Sequence, residues 1–217
     1  MSTRVKICCI GSINEASIAI SYGASAIGLV GRMPSGPGPI PDELIARIAK
    51  TVPPPIATFL LTCEITPGDI IAHHLRTFTN TIQLVDEPGA NTYAKLREDL
   101  PFVKLVQVIH VTGEHSLEEA LQVAEHVDAL LLDSGNPKLT IKELGGTGRV
   151  HDWNVSRKIR EQVKIPVFLA GGLNASNVQQ AIDQVEPFAV DVCSGVRTNG
   201  LLDEKKVEAF FNAVLRV

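Results

Sequence analysis

Val167-Phe168-Leu169-Ala170-Gly171-Gly172 and its echo Ala189-Val190-Asp191-Val192-Cys193-Ser194-Gly195 decide how this chain is read. Each is a short apolar run that ends in glycine, and each precedes a helical pattern, Ser176 to Gln184 after the first and Asp203 to Leu215 after the second. Strands that read as nearly unbroken hydrophobics belong to a parallel sheet, because both of its faces are covered. Glycine at a strand exit lets a bound group approach the backbone and leaves amide N–H groups free to point at an anion. Two such turns in succession predict a phosphate grip.

The rest of the chain repeats the same unit. Val5 to Cys8 is a strand and Asn14 to Tyr22 a helix that stops at Gly23, a good residue to follow a helix C-terminus. Ala26 to Val30 leads through the stiff loop Met33 to Pro41, rich in proline and glycine, to a helix from Asp42 to Thr51. Ile56 to Leu61 pairs with Pro67 to Thr77, Thr81 to Leu84 with Asn91 to Asp99, and Val103 to Ile109 with Ser116 to Glu125. Ala129 to Leu132 is the sixth strand, and the longest loop runs from Asp133 to a helix near Asn154 to Gln162. The two opening stretches are therefore strands seven and eight. Eight alternations without a linker predict one α/β domain over residues 1–217, a single (β/α)8 TIM barrel of the phosphate-binding type. An open doubly wound sheet would use the same elements, but its GxGxxG signature after the first strand is missing.

Composition narrows the function class. The chain has 217 residues, 45% of them hydrophobic, enough for one large core, and its net charge of −4 provides no basic field for nucleic acid. No run approaches the roughly 18 apolar residues that span a bilayer, and Met1 to Lys6 has no apolar leader region. These features predict a soluble cytoplasmic protein, monomer or homodimer, that meets neither nucleic acid nor membrane. Cys8, Cys9, Cys63 and Cys193 form no CxxC pair and no zinc spacing, so they read as reduced thiols and no metal site is expected.

A barrel of this kind keeps its chemistry at the C-terminal ends of the strands. Those ends carry Cys8 and Cys9, Arg32, Gln83, His110, Asp133, Gly171 and Gly172, and Asp191 to Gly195. A thiol and a carboxyl, Cys8 and Asp133, are the candidate proton carriers, facing each other across the mouth. Their ordinary pKa values of about 8.5 and 3.9 suit a base and an acid only if the site shifts both toward neutrality. Proton shuttling is favoured over nucleophilic attack, because no histidine stands beside Cys8 in sequence. The plainer readings are a cysteine that fills core space and an aspartate that caps a loop. Lys6 shares strand parity with Cys8 and would either lower the thiol pKa or pair with a barrel carboxylate. His110 and Gln107 are weaker candidates for substrate contact. His73 and His74 fall on a helix surface, where adjacent residues do not share a face. Gly145 to Gly148 follows no strand and reads as a mobile lid, not a nucleotide fingerprint.

Taken together and in order, Val5-Lys6-Ile7-Cys8, Gly23-Ala24-Ser25-Ala26-Ile27-Gly28, Gln83-Leu84, Leu131-Leu132-Asp133 and Gly145-Gly146-Thr147-Gly148 resemble the phosphoribosylanthranilate isomerase family. The likeness continues through Asp152-Trp153, Leu169 to Leu173, Asn177-Val178, Val190-Asp191-Val192 and Ser194-Gly195-Val196. The resemblance implies an Amadori rearrangement of a phosphosugar substrate, with Cys8 as general base, Asp133 as general acid, and no metal or organic cofactor. It also implies a phosphate held on the amides of Gly171, Gly172, Ser194 and Gly195, and substrate contacts from Lys6, Arg32, Gln83 and Asp191. Three positions depart from the family's pattern. Pro37 stands near where its loop arginine would be, leaving Arg32 as substitute, Val85 replaces a histidine, and Cys9 replaces a glycine. A related phosphosugar isomerase or epimerase with another substrate, or a binding barrel without turnover, would keep the same turns.

Overall fold

The protein is described from a computed structural model, over residues 3–135, 142, 144 and 148–215. Strands and helices alternate as β1 (Arg4–Ile7), α1 (Ile13–Ser21), β2 (Ala26–Val30), α2 (Asp42–Thr51), β3 (Ala57–Thr62), α3 (Pro67–Thr77), β4 (Thr81–Leu84) and α4 (Thr92–Asp99). They continue as β5 (Lys104–His110), α5 (His115–Ala124), β6 (Ala129–Asp133), α6 (Trp153–Gln162), β7 (Val167–Leu169), α7 (Val178–Val185) and β8 (Ala189–Val192). A 3-10 turn at Ser194–Val196, a small hairpin of β9 (Arg197–Thr198) and β10 (Leu201–Leu202), and α8 (Glu204–Leu215) complete the order. The strands pair in parallel with their sequence neighbours, and β8 returns to β1, with Lys6 opposite Asp191 and Ile7 opposite Val192. The sheet is thus closed, and the fold is the (β/α)8 TIM barrel expected from the strand endings.

All five residues of β2 and of β6 are buried, as a strand covered on both faces requires. Side-chain alternation sends them to two cores. Ile27, Leu29, Leu60 and Leu132 pack outward against the helices, whereas Ala26, Phe59, Leu131 and Phe168 fill the barrel interior. Small and large residues share that interior: the alanines leave room for Phe59 and Phe168, whose rings meet edge-on with centroids 5.7 Å apart.

Several helix starts follow from local side-chain chemistry. Ser12 Oγ accepts from the Glu15 amide at 3.1 Å, and Glu15 Oε2 accepts from the Gly11 amide at 2.9 Å, a reciprocal cap on α1. Asp152 Oδ1 accepts from the Asn154 amide at 2.8 Å and opens α6 beside the mouth of the barrel. α7 begins at Val178, two residues later than its periodicity suggests. Asn174 Oδ1 accepts from the Ser176 amide and Asn177 Oδ1 from the Asn174 amide, both at 2.8 Å, so residues before Val178 form a turn of their own.

One expectation needs correcting, and one element is added. His73 and His74 are buried, not on a helix surface, because α3 packs on α2: His73 bridges Thr62 Oγ1 at 2.9 Å and Asp42 Oδ1 at 3.1 Å. The hairpin of β9 with β10 adds an element to the stretch between the eighth strand and the last helix, which the sequence reading left without one; Asn199 and Gly200, both with positive φ, make its two-residue turn.

Candidate active site

One cavity opens at the C-terminal ends of the strands. Its wall includes Cys8, Gln83, Asp133, Asp191, the turn Gly171–Gly172, and Ser194, and the loop after β2 reaches over it through Met33 to Pro37. The residues come from β1, β4, β6, β7 and β8, so only closure of the barrel brings them together.

On the β6 side, Asp133 is the last residue of its strand and lies opposite His110 of β5. Its Oδ1 accepts from the Ser134 amide at 2.7 Å, which fixes the carboxyl on the cavity wall. Beyond β7, Gly171 and Gly172 have φ of 84° and 64°, a left-handed pair that residues with a β-carbon rarely adopt. There is also no room: a β-carbon on Gly172 would stand 2.7 Å from the Arg149 carbonyl carbon, and one on Gly195 would stand 2.0 Å from the Leu173 carbonyl oxygen. Glycine at these turns lets the backbone amides approach a ligand without side chains in the way.

On the β1 side, Cys8 sits just past the strand, its amide donating to the Val192 carbonyl at 2.8 Å. Gly28 on β2 makes space for it, because a β-carbon there would lie 2.8 Å from Cys8 Sγ and 3.2 Å from Lys6 Nζ. Lys6 is fully buried and donates to Asp191 Oδ2 at 2.8 Å. Burial opposes its charge, yet the Asp191 carboxylate and the Cys8 sulfur more than offset that and raise its pKa, so Lys6 stays an ammonium. Burial pushes the Asp191 carboxyl up, with Lys6 pulling it back. Asp191 Oδ1 and Gln83 Oε1 are both buried without a partner among the described residues, two acceptors on residues of the cavity wall.

Cys9 occupies a left-handed position, φ 62°, and shares a hydrogen bond at 2.7 Å with Cys193 Sγ across the seam between β1 and β8. That contact, then Cys8 and burial, push the Cys9 thiol up; Cys193 is held below the usual thiol value by Cys9 and, against burial, by Arg197. Arg197 clamps the seam. Its Nη2 donates to the carbonyls of Cys8 and Cys9 and to Glu15 Oε2, at 3.1 Å for the carboxylate. Sequence reading reached Cys193 within the strand end Asp191 to Gly195 but missed Arg197 as part of this site. The Asn199-Gly200 hairpin signal, which places Arg197 on a strand beside the mouth, was there to find it.

The structure brings Cys8, Gln83, Asp133, Gly171, Gly172, Asp191 and Ser194 to one cavity. Lys6 lies beneath the wall and not in it, because Asp191 holds its ammonium. Gly195 packs on Leu173 just behind Ser194. Arg32 is exposed and outside the wall: β2 ends at Val30, and the Gly31 amide makes the last bond toward β3, to the Leu61 carbonyl at 3.0 Å, before Arg32. Gln107 and His110 also lie outside it. Gln107 donates to the Leu84 and Asp86 carbonyls and accepts from Tyr93, and His110 Nε2 donates to the Val85 carbonyl at 3.0 Å. Of the glycine run read as a lid, 145–147 lie outside the described residues, and Gly148 lines the cavity. Among the described residues, no group of three or more metal-ligating side chains is placed to hold an ion, and no helix is long and apolar enough to cross a membrane.

Residues 68–213 match the family model described as N-(5'phosphoribosyl)anthranilate (PRA) isomerase. An N-(5'-phosphoribosyl)anthranilate isomerase of Methanosarcina acetivorans is 35% identical over 227 aligned residues, covering 99% of this chain and 94% of that protein. Among solved structures, a phosphoribosyl anthranilate isomerase in complex with reduced 1-(o-carboxyphenylamino)-1-deoxyribulose 5-phosphate superposes with a TM-score of 0.82 at 29% identity, covering 99% of this chain and all of that one. A monomer form of the dimeric phosphoribosylanthranilate isomerase of Thermotoga maritima gives a TM-score of 0.80 at 27% identity, covering 99% of this chain and 100% of that one.

Proposed function

Because the chain belongs to the N-(5'-phosphoribosyl)anthranilate isomerase family, we propose that it performs this isomerisation with Cys8 as general base and Asp133 as general acid. The reaction is an Amadori rearrangement, in which an aldose amine becomes a ketose amine within one molecule. Asp133 protonates the ribose ring oxygen as the C1′–O bond opens to a Schiff base. Cys8 then takes the proton from C2′, and the resulting enolamine tautomerises to the ketone. The observation that carries this reading is the convergence of Cys8 from β1 and Asp133 from β6 on one cavity with the glycine turns after β7 and β8. The base and acid reach the sugar from opposite walls, so both can act on one bound conformation.

The phosphate rests on the amides of Gly171, Gly172, Ser194 and Gly195, where several aligned N–H groups share its charge. Gln83 and Asp191 accept hydrogen bonds from the substrate's hydroxyls; their unpartnered oxygens support that role. Lys6 acts through Asp191, keeping it ionised as an acceptor. All these groups come from one chain, so the site is complete in either a monomer or a homodimer. A cytoplasmic location fits a biosynthetic enzyme of small metabolites.

The test is turnover of freshly made phosphoribosylanthranilate, followed by the loss of anthranilate fluorescence. Cys8→Ala and Asp133→Asn are each expected to lower kcat by about 10²-fold or more, the range of general acid–base catalysis, with circular dichroism unchanged. Full activity in either variant would remove that residue from the mechanism.

A further inference from the structure

The imidazole of His151 lies just ahead of α6, outside the cavity wall but against its phosphate side. Its Nε2 is 2.7 Å from Ser156 Oγ. Ser156 is fully buried, and among the described residues this nitrogen is the partner found for its hydroxyl; the tautomer that uses the hydroxyl hydrogen has Oγ donating and Nε2 accepting. The ring hydrogen is then on Nδ1. That atom is buried with no partner among the described residues, and buried donors without acceptors are rare enough to require a reason. Nδ1 points at the turn after β7: a β-carbon on Gly171 would be 3.0 Å from it and 3.2 Å from Ser134 Oγ. Burial holds the ring below the usual imidazole pKa against the Asp133 and Asp152 carboxylates, so the free protein presents a neutral donor here.

The residues around His151 cross the same region. Gly148 lines the cavity, with its β-carbon position 3.9 Å from Ser194 Oγ, and the Arg149 backbone packs on Gly172. No Lys, Arg or His is among the described residues of the wall. We propose that His151 is a phosphate-binding residue, whose Nδ1–H donates to an oxygen of the phosphate monoester held at Gly171 and Gly172, adding a side-chain donor to the backbone amides. The proposal rests on the phosphate reading above and goes beyond it by placing a side chain in the grip.

Ribose 5-phosphate is the probe, with ribose as control. His151→Phe keeps the ring's volume without a donor, and His151→Asn returns an amide N–H near the Nδ1 position. The Kd for ribose 5-phosphate, measured by calorimetry, is expected to rise about tenfold or more in His151→Phe, the usual effect of losing a hydrogen bond to a charged group, and to stay within about threefold in His151→Asn. KM for the substrate should follow Kd while kcat stays within about twofold. In the native protein, the His151 Nδ1–H proton resonance should shift downfield on adding ribose 5-phosphate and not on adding ribose, a readout that needs no variant to fold. An unchanged Kd in His151→Phe, or a fall in kcat alone, would overturn the role of His151 and leave the glycine turns standing. Native protein that binds neither probe would overturn the phosphate reading along with it.

Discussion

Lys6→Met leaves a buried carboxylate without its counter-charge. Lys6 is fully buried, donates to Asp191 Oδ2 at 2.8 Å, and lies 5.1 Å from the centre of the Phe59 ring. Removing one member of such a pair costs about 3–5 kcal/mol, because the remaining charge stays uncompensated. Methionine is close to lysine in length, so most of that cost is electrostatic and not a void. Asp191 has one way to limit the loss, which is to take up a proton. From an unfolded pKa of about 3.9, neutralising it costs about 5 kcal/mol at about pH 7.5 and about 1 kcal/mol at about pH 4.5. Burial already pushes this carboxyl up in the native protein, and without Lys6 it rises further. A folded pKa above the unfolded one makes the contribution fully present below about pH 4 and lost as pH rises toward the folded value, at up to about 1.4 kcal/mol per pH unit. Urea unfolding at about pH 4.5, 6 and 7.5, followed by circular dichroism, measures the gap between native and variant. The gap should widen with pH, from about 1 to about 3–5 kcal/mol. An equal gap at all three values, or one below about 1 kcal/mol at the highest, would show that Lys6 is not what keeps Asp191 ionised.

Substitutions at two further positions test the strand exits. At Cys9, with φ 62°, glycine is expected to be more stable than alanine by about 1 kcal/mol, the reverse of the usual order, since both lose the thiol and only alanine keeps a β-carbon in the left-handed region. Thermal melts of Cys9→Ala and Cys9→Gly decide it, at about 2–4 °C per kcal/mol for a chain of this size. Gly195→Ala would set a β-carbon 2.0 Å from the Leu173 carbonyl oxygen, so the turn after β8 must shift. Its KM for the phosphorylated substrate should rise about tenfold or more, the loss of a hydrogen bond to a charged group, while Cys8 and Asp133 keep their places. An unchanged KM would mean this turn does not touch the phosphate.

Where the chain obeys a short-range rule, the sequence was enough to read it. Strands closing in LLLD or AVDV, the helix stop at Gly23, and the glycine pair after Ala170 each depend on residues within a few positions. Contacts between elements were not legible in this way. His73 is buried because Thr62 of β3 and Asp42 of α2 meet it, and neither is near it in sequence. Lys6 had two readings from strand parity; the register of β1 against β8, which puts Asp191 directly opposite, chooses between them. Arg32 has the parity of an inward residue, but the strand ends two positions earlier and parity then has no meaning. His151 carried no pattern at all, since its place depends on Ser156 and on the turn at Gly171 together.

The distribution of the site over the strands makes this barrel a reporter of its own reassembly. Cys8 and Gln83 precede the turn between α4 and β5, where Phe102 is 94% exposed, and Asp133 with both glycine turns follows it. A chain cut at that turn yields two half-barrels, one with the proposed base and one with the proposed acid and phosphate turns, and neither holds both proposed proton carriers. Their reunion restores two edges. Gln83 returns opposite Val106 between β4 and β5, and the Lys6–Asp191 pair re-forms across β1 and β8. Turnover in a mixture of the two fragments therefore counts the barrels that have closed correctly, an enzymatic signal for fragment complementation.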